Sequence, residues 1–257
     1  MPQESNTLIQ LAQEIDEQGF VLLSGVFSSA EVDELLATLA TATTGLERDG
    51  ESIRSRSGSV YAARNVLDWY PPARDVWRRA PLAPLLTHVL GPEYGLVRAL
   101  FFDKPPDRSW SLPWHKDLTI AVADNSRPST AFRHPTRKAG VPHVEAPEDL
   151  LRRMLTLRIH LDDVTDENGP LKVIAGSHRD GKKEHETGQG AAAQSPATHT
   201  ILTNRGDVLA MRPLLTHASG LSAAETRRHR RILHLEFAAE PNLPDGYHWH
   251  TFLSGAK

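Results

Sequence analysis

The chain has 257 residues, 39% of them apolar and 24% charged, with a formal net charge of -3 and no cysteine. This length suits one domain with a substantial core, and the small negative charge gives no general attraction to nucleic acid or acidic membranes. The absence of cysteine excludes disulfides, thiolate zinc, iron–sulfur clusters and a cysteine nucleophile, and suits a reducing compartment.

The first residues, Met1-Pro2-Gln3-Glu4-Ser5, lack the basic and apolar regions of a signal peptide, and no apolar run has the length to span a bilayer. The expectation is a cytoplasmic protein, one domain over 1–257. Leu8, Leu11, Ala12 and Ile15 recur at helical spacing. Residues 19–23 read as a buried strand. Ser28-Ser29-Ala30-Glu31 is a capping box, with Val32, Leu35, Leu36 and Leu39 marking the helix behind it. Residues 41–60 are polar and read as a loop, and 75–90 read as helical, interrupted by Pro81 and Pro84.

From residue 96 the pattern changes to short strands divided by Gly, Pro and Asn: 96–102, 155–161, 171–174, 200–202, 208–212 and 232–237. That punctuation predicts a mainly β fold, a sandwich or jelly roll, rather than a parallel α/β sheet. Residues 121–147 lack periodicity and carry several prolines, which predicts a long loop acting as a lid. His134 and His143 within it are expected at the surface.

Two imidazoles and a carboxylate can occupy one face of an iron(II) ion and leave the other open to substrate and oxygen. The chain offers three His-x-Asp triplets, His115-Lys116-Asp117, His160-Leu161-Asp162 and His178-Arg179-Asp180, among 13 histidines. Chance alone supplies roughly one such triplet. On extended backbone, residues i and i+2 share a face, so His115 and Asp117 can grip one ion. His160 and Asp162 have the same spacing before a turn where a structural role is equally natural, and His178-Arg179-Asp180 reads as a polar loop. Spacing gives His115 and Asp117 only a modest lead. His217 is the natural third ligand, and a basic cluster follows it: Arg227, Arg228, Arg230 and Arg231. An arginine entering a core strand is costly unless an anion meets it, and its fork matches a carboxylate. For three of the four, a solvated charge run is the better reading. His248-Trp249-His250 is a weaker metal pair, with no carboxylate nearby.

Three stretches carry a resemblance. They are Pro113-Trp114-His115-Lys116-Asp117, residues 161–178 with their Glu167-Asn168-Gly169-Pro170-Leu171 and Gly176-Ser177-His178 runs, and residues 217–231. Together with Gly19-Phe20-Val21-Leu22-Leu23 they resemble the phytanoyl-CoA dioxygenase family of Fe(II)/2-oxoglutarate oxygenases. The resemblance implies a double-stranded β-helix, a jelly roll with supporting N-terminal helices. It also implies His115, Asp117 and His217 as iron ligands, and it assigns the other two triplets to a scaffold strand and its following loop. The C5 carboxylate of 2-oxoglutarate would meet an arginine near the last core strand, Arg228 by counting from His217 or Arg230 by aligning the strand. The strand alignment is preferred, because turns absorb insertions and strands do not. Ser219 matches a position that binds the same carboxylate. The chain departs from the family at Leu221-Ser222, where Pro-Asn is frequent.

The implied reaction consumes O2 and 2-oxoglutarate, releases succinate and CO2, and oxidises a C–H bond of a small-molecule substrate. The carboxylate of Asp117 favours hydroxylation, since halogenating relatives carry a small residue there. On the strand 154–161, Thr156, Arg158 and His160 share the face opposite Leu155, Leu157, Ile159 and Leu161, so Arg158 and Thr156 are candidates for substrate. Arg64, in a polar island over 61–65, is a further candidate. Lys104 and Arg98 are candidates for cosubstrate or substrate. The alternatives are a catalytically idle or zinc-binding jelly-roll binding protein and a metal-dependent hydrolase of cupin-like fold.

Overall fold

In the computed structural model, residues 2–44, 52–54, 60–183 and 197–256 are described. Most of the loop read over 41–60 lies outside them. The N-terminal part comprises helix α1 (Pro2–Gln18), strand β1 (Phe20–Leu23), α2 (Ser29–Thr44), β2 (Ser52–Arg54), β3 (Val60–Ala63), α3 (Val66–Trp69) and α4 (Leu82–Leu90). The middle follows with β4 (Gly95–Asp103), β5 (Leu112–His115), β6 (Thr119–Ala121), β7 (Arg133–Lys138), β8 (Val141–Glu145), α5 (Glu148–Arg152) and β9 (Met154–His160). The chain continues through β10 (Leu171–Ile174), β11 (Thr198–Ile201), β12 (Val208–Met211), β13 (His217–Ser219), β14 (Arg231–Ala238) and β15 (Leu253–Ser254). None of the described helices is long and apolar enough to cross a membrane.

The predicted capping box closes as expected. The Ser28 backbone N–H and hydroxyl both donate to Glu31, 2.8 Å each, and the Glu31 N–H returns to Ser28 Oγ at 3.3 Å. Where residues 75–90 read as an interrupted helix, regular helix begins only at Leu82. Pro84 then falls in the first turn, where the missing N–H has no helical partner to lose.

An antiparallel sheet in the order β1-β12-β9-β14-β4-β3-β2, with β15 also on β4, faces a smaller sheet in the order β11-β10-β13-β5. This is the double-stranded β-helix expected from sequence. The large sheet has two chemically distinct faces. Leu155, Leu157, Ile159, Leu161, Leu233, Leu235 and Phe237 point outward and pack beneath α1, α2 and α4 in the main core. The alternate residues Arg158, His160, His234 and Glu236 are buried on the inward face.

Residues 121–147 differ from the aperiodic loop expected of them. Strands β6, β8 and β7 form a third antiparallel sheet in that order, leaving the bend around 123–132 irregular. The strand signal was hidden because β7 reads Arg-His-Pro-Thr-Arg-Lys, exposed over most of its length, and Pro135 and Pro142 interrupt the pattern. The edge strand β7 tolerates both its exposure and Pro135, while Pro142 stands in the central strand β8. His143 also departs from expectation: it is 2% exposed.

Trp77 anchors the helical layer, wholly buried with its ring 5.1 Å from Phe237 and 5.8 Å from Tyr94. Trp77→Ala is expected to cost about 3–5 kcal/mol of stability through the cavity it leaves. Urea denaturation checks this, and a cost below about 1 kcal/mol would mean that the layer collapses to fill the gap.

Candidate metal centre and anion pocket

The pairing of β13 with β5 sets His217 opposite His115 in register, bringing together residues a hundred positions apart. Their rings lie 4.3 Å apart. After β5 the backbone turns, and the Asp117 N–H donates to Pro213 O at 2.9 Å, which brings its carboxylate to 3.7 Å from His217 Nε2. One ligand atom from each of His115, Asp117 and His217 lies within 4.8 Å of the others, and no other such group occurs among the described residues. His248 and His250 are not part of one.

The tautomers follow from the backbone. His115 Nδ1 is 2.7 Å from Pro113 O and His217 Nδ1 is 2.8 Å from Leu215 O. A carbonyl only accepts, so each Nδ1 carries the proton and each Nε2 presents a lone pair to the centre. Burial, opposed by Asp117, lowers the His217 pKa to about 4. Burial raises that of Asp117, but His217, His234, His115 and Arg98 outweigh it and hold the carboxyl at about 2. A neutral His217 imidazole and an ionised Asp117 therefore stand beside His115 at neutral pH. This donor set could hold a divalent iron-group cation on one face.

The two rival triplets serve elsewhere. Asp162 is held by Arg231 through two bonds of 2.8 and 2.6 Å. His160 is buried, with neither ring nitrogen partnered. His178 Nε2 lies 3.2 Å from Asp16 O on α1. The turn carrying this last triplet braces the metal centre: Lys116 Nζ donates to Ser177 O and Gly181 O at 2.9 and 2.6 Å, and Ser177 Oγ accepts from the Thr216 N–H at 2.8 Å.

Beside the triad lies a narrow cleft of about 80 Å³, lined by residues that include His115, Asp117, His217, Ser219, Arg158, Arg230 and Trp110. Lys104 leaves β4 fully buried and donates through Nζ to Ser219 Oγ at 3.0 Å and Gly220 O at 2.7 Å. Its backbone exchanges hydrogen bonds with Arg230, 3.1 and 3.2 Å. Arg230 is 4% exposed, and its Nε and Nη1 have no partner. Arg158, also buried, donates from Nη1 to His234 Nδ1 at 3.2 Å and leaves Nε unpartnered. Burial, reinforced by Arg230 and Arg158, lowers Lys104 to about 7. Burial, with Arg158 adding to it, lowers Arg230 to about 9. Three buried cations without an ion-paired carboxylate are expensive to maintain, and the pocket could hold a dianion at this point. Arg228, by contrast, is 53% exposed, with its nearest carboxylates 3.9 Å away.

Sequence reasoning missed the network under the triad. Arg98 grips Glu236 through two bonds of 2.9 and 2.5 Å, and His234 Nε2 lies 3.1 Å from the same carboxylate. Because Arg158 only donates to Nδ1, His234 carries its proton on Nε2 and donates to Glu236. The signal was present in the alternation of β14, whose inward positions are His234 and Glu236. Thr156 is buried opposite Glu236 and does not line the cleft. Arg64 is half-buried, within electrostatic range of Arg98 and Glu236.

A profile of the phytanoyl-CoA dioxygenase (PhyH) family matches residues 15–230, and the chain belongs to that family. Ectoine dioxygenases of Bordetella parapertussis and Sphingopyxis alaskensis are each 25% identical, over 170 and 172 residues, 65% of this chain and 48% and 49% of theirs. The chain thus spans about half the length of the curated relatives it matches. Among solved structures, apo EctD from S. alaskensis superposes with a TM-score of 0.66 at 19% identity, covering 89% of this chain and 76% of that one. AviO1 from Streptomyces viridochromogenes Tue57 gives 0.61 at 23% identity, covering 92% and 97%.

Glu236→Ala would leave the Arg98 guanidinium buried without its partner, at an expected cost of about 3–5 kcal/mol. Replacing both at once, Arg98→Met with Glu236→Leu, is expected to restore most of that stability. Equal losses in the single and double variants, measured by denaturant unfolding, would contradict the pairing.

Proposed function

We propose that the chain is a non-haem Fe(II)/2-oxoglutarate-dependent dioxygenase that hydroxylates a C–H bond of a small molecule. The observation that carries this reading is the adjacency of two features in one cleft: a His-Asp-His donor set, and buried cations lacking an anion. Either feature alone occurs for other reasons. Together they suit a divalent metal and a dicarboxylate bound side by side.

His115, Asp117 and His217 would hold the iron, and Arg230, Lys104 and Ser219 the C5 carboxylate of 2-oxoglutarate. When bound with dioxygen, the iron centre supplies oxidative decarboxylation of 2-oxoglutarate to succinate and CO2, one oxygen atom entering succinate and the other the substrate. The protein's part is geometric. The backbone carbonyls behind His115 and His217 fix their ring orientation, and the Asp117 charge offsets part of the metal's. Arg230 keeps N–H donors on Nε and Nη1 unspent for a carboxylate. Burial keeps water from competing. Arg158 offers its Nε to substrate, and Thr156, on the same face of β9, is buried opposite Glu236. Residues 121–147, folded as β6, β8 and β7, cover the substrate side of the single domain 1–257.

Purified chain with Fe(II), ascorbate and air is expected to release succinate slowly from 2-oxoglutarate even without substrate, and His115→Ala or Asp117→Ala to abolish it. Succinate release unchanged in both variants would sink the reading, and metal binding with no 2-oxoglutarate binding would favour a zinc-holding or idle protein. Arg230→Ala should weaken 2-oxoglutarate binding about a hundredfold and Arg228→Ala hardly at all. The reverse order, by calorimetry, would overturn the anchor.

Lys104 adds a pH signature. Its ammonium form binds a dianion better than its amine form. Affinity for 2-oxoglutarate should therefore be highest below about pH 7 and decline as pH rises through that value. Lys104→Gln is expected to weaken binding and to flatten this dependence. A Lys104→Gln protein that keeps the wild-type pH profile would show that another group is responsible.

A further inference from the structure

A second concentration of positive charge lies towards the other end of β4. Arg98 and Lys104 are six residues apart, roughly 20 Å along an extended chain. Around Arg98 stand Arg64, at the end of β3, and Lys138, at the end of β7, all three within electrostatic range of one another. The carboxylates facing them are Glu236, engaged bidentately by Arg98, and Asp117 of the triad. Arg64 and Lys138 make no ion pair among the described residues.

Both side chains start from positions the fold holds firmly. The Arg64 carbonyl accepts from Trp69 Nε1 at 2.9 Å. Asn65, in the left-handed region at φ 54°, donates from Nδ2 to Ala139 O at 3.0 Å, fastening the end of β3 to the turn between β7 and β8. Lys138 Nζ donates to Thr119 Oγ1 at 2.9 Å, and Thr119 is two residues beyond Asp117. The cations therefore come from two separate sheets and meet beside the triad.

His143 is an independent observation. It is buried to 2% exposure, its Nδ1 lies 3.0 Å from Val141 O, and its Nε2 has no partner. By the carbonyl argument Nε2 is a lone-pair acceptor. Its neighbours in charge are Arg98, Lys138 and Arg64, and burial together with these cations keeps the ring neutral, its pKa about 4. A buried acceptor without a partner, with cations in electrostatic range of it, is a lone pair that the protein itself leaves unsatisfied.

Charge accounting gives the ligand's sign. Six cations, Arg64, Arg98, Lys104, Lys138, Arg158 and Arg230, share this region with three carboxylates, Asp103, Asp117 and Glu236. On the dioxygenase reading, the divalent metal and the dianionic cosubstrate cancel each other, and the positive surplus remains. A neutral or cationic substrate would leave it uncompensated in a partly desolvated cleft.

We infer that the substrate is a small molecule bearing an oxyanion, a carboxylate or a phosphate, which Arg64 and Lys138 bind on the opposite side of the triad from Arg230. This rests on the proposed function, because it takes Arg230 and Lys104 to be occupied by the cosubstrate. His143 Nε2 accepts from a hydroxyl or amine of the same molecule. The reactive carbon lies between the anion and the metal.

The test uses protein loaded with Zn(II) and the unreactive mimic N-oxalylglycine, whose binding and its loss in Arg230→Ala are verified first. Inorganic phosphate and acetate are then titrated separately at constant ionic strength, with binding read by heteronuclear NMR shifts. Saturable binding of at least one probe is expected, weakened about tenfold in Arg64→Gln and in Lys138→Gln, retained in Arg64→Lys, and unchanged in Arg228→Gln. The tighter probe tells phosphate from carboxylate. Failure of both probes to bind loaded wild-type protein, or equal binding in the Arg64→Gln/Lys138→Gln double variant with an unchanged melting temperature, overturns the inference. If N-oxalylglycine itself does not bind, the dioxygenase reading fails instead, and the same titrations on metal-free protein still decide whether Arg64 and Lys138 form an anion site.

Discussion

The antiparallel pairing of β13 with β5 is the constraint from which the rest of the site follows. It places His217 opposite His115, and a one-residue slip would turn one imidazole to the other face of the small sheet. The strands are only three and four residues long, so their own hydrogen bonds cannot hold that register. What holds it is β10 on the other side of β13, pairing Val173 with His217 and Leu171 with Ser219. The turn after β10 then braces both ligand segments at once, through Lys116 to Ser177 and Gly181 and through Thr216 to Ser177. The triad depends on a turn that contains none of its members.

The same logic applies to the turn before β10. Asn168 accepts from the Thr165 N–H and donates to Asp163 O and His229 O, so it ties the entry of β10 to the residue preceding Arg230. Gly169 adopts φ 67°, and a Cβ there would meet Gly220 O at 2.6 Å and Lys104 Nζ at 3.1 Å. Glycine at this point lets the Gly220 carbonyl and the Lys104 ammonium approach. The run 167–178 therefore fastens the metal half of the cleft at one end and the anion half at the other.

That explains what was legible in the sequence. Strands β1, β4, β9, β12 and β14 of the large sheet could be read, β9 most clearly because an outer face against helices and a polar inner face impose strict alternation from Leu155 to Leu161. By contrast, β2 and the start of β3 fell in the stretch 41–60 read as a loop. Arg230 was preferable to Arg228 because only the former could enter the core with the strand. Strands β5 and β13 were not legible, being too short to show a period and carrying residues chosen for their ring nitrogens rather than their packing. Strand β7 failed for another reason: its exposed, proline-broken sequence resembles a loop, and its pairing with β8 is visible only once the chain is folded. His143 followed it, since a lone histidine in an apparent loop gives no hint that a third sheet will bury it.

The inner face of the large sheet shows how one surface carries two opposed demands. Arg98 is neutralised internally by Glu236, and Glu236 also accepts from His234, whose other nitrogen receives Arg158. This chain runs across β4, β14 and β9 in register, Arg98 opposite Glu236 and His234 opposite Arg158. Glu236 stands in the middle of the sheet, and at the Arg230 end the carboxylate in electrostatic range is Asp103, which is engaged by His229. Had the fold required only stability, further carboxylates beside Arg230 or Arg64 would have been the cheaper solution, because paired charges cost less to bury than single ones. The unneutralised guanidiniums lie on either side of the His115-Asp117-His217 triad, and that distribution suits the two anions proposed for the cleft.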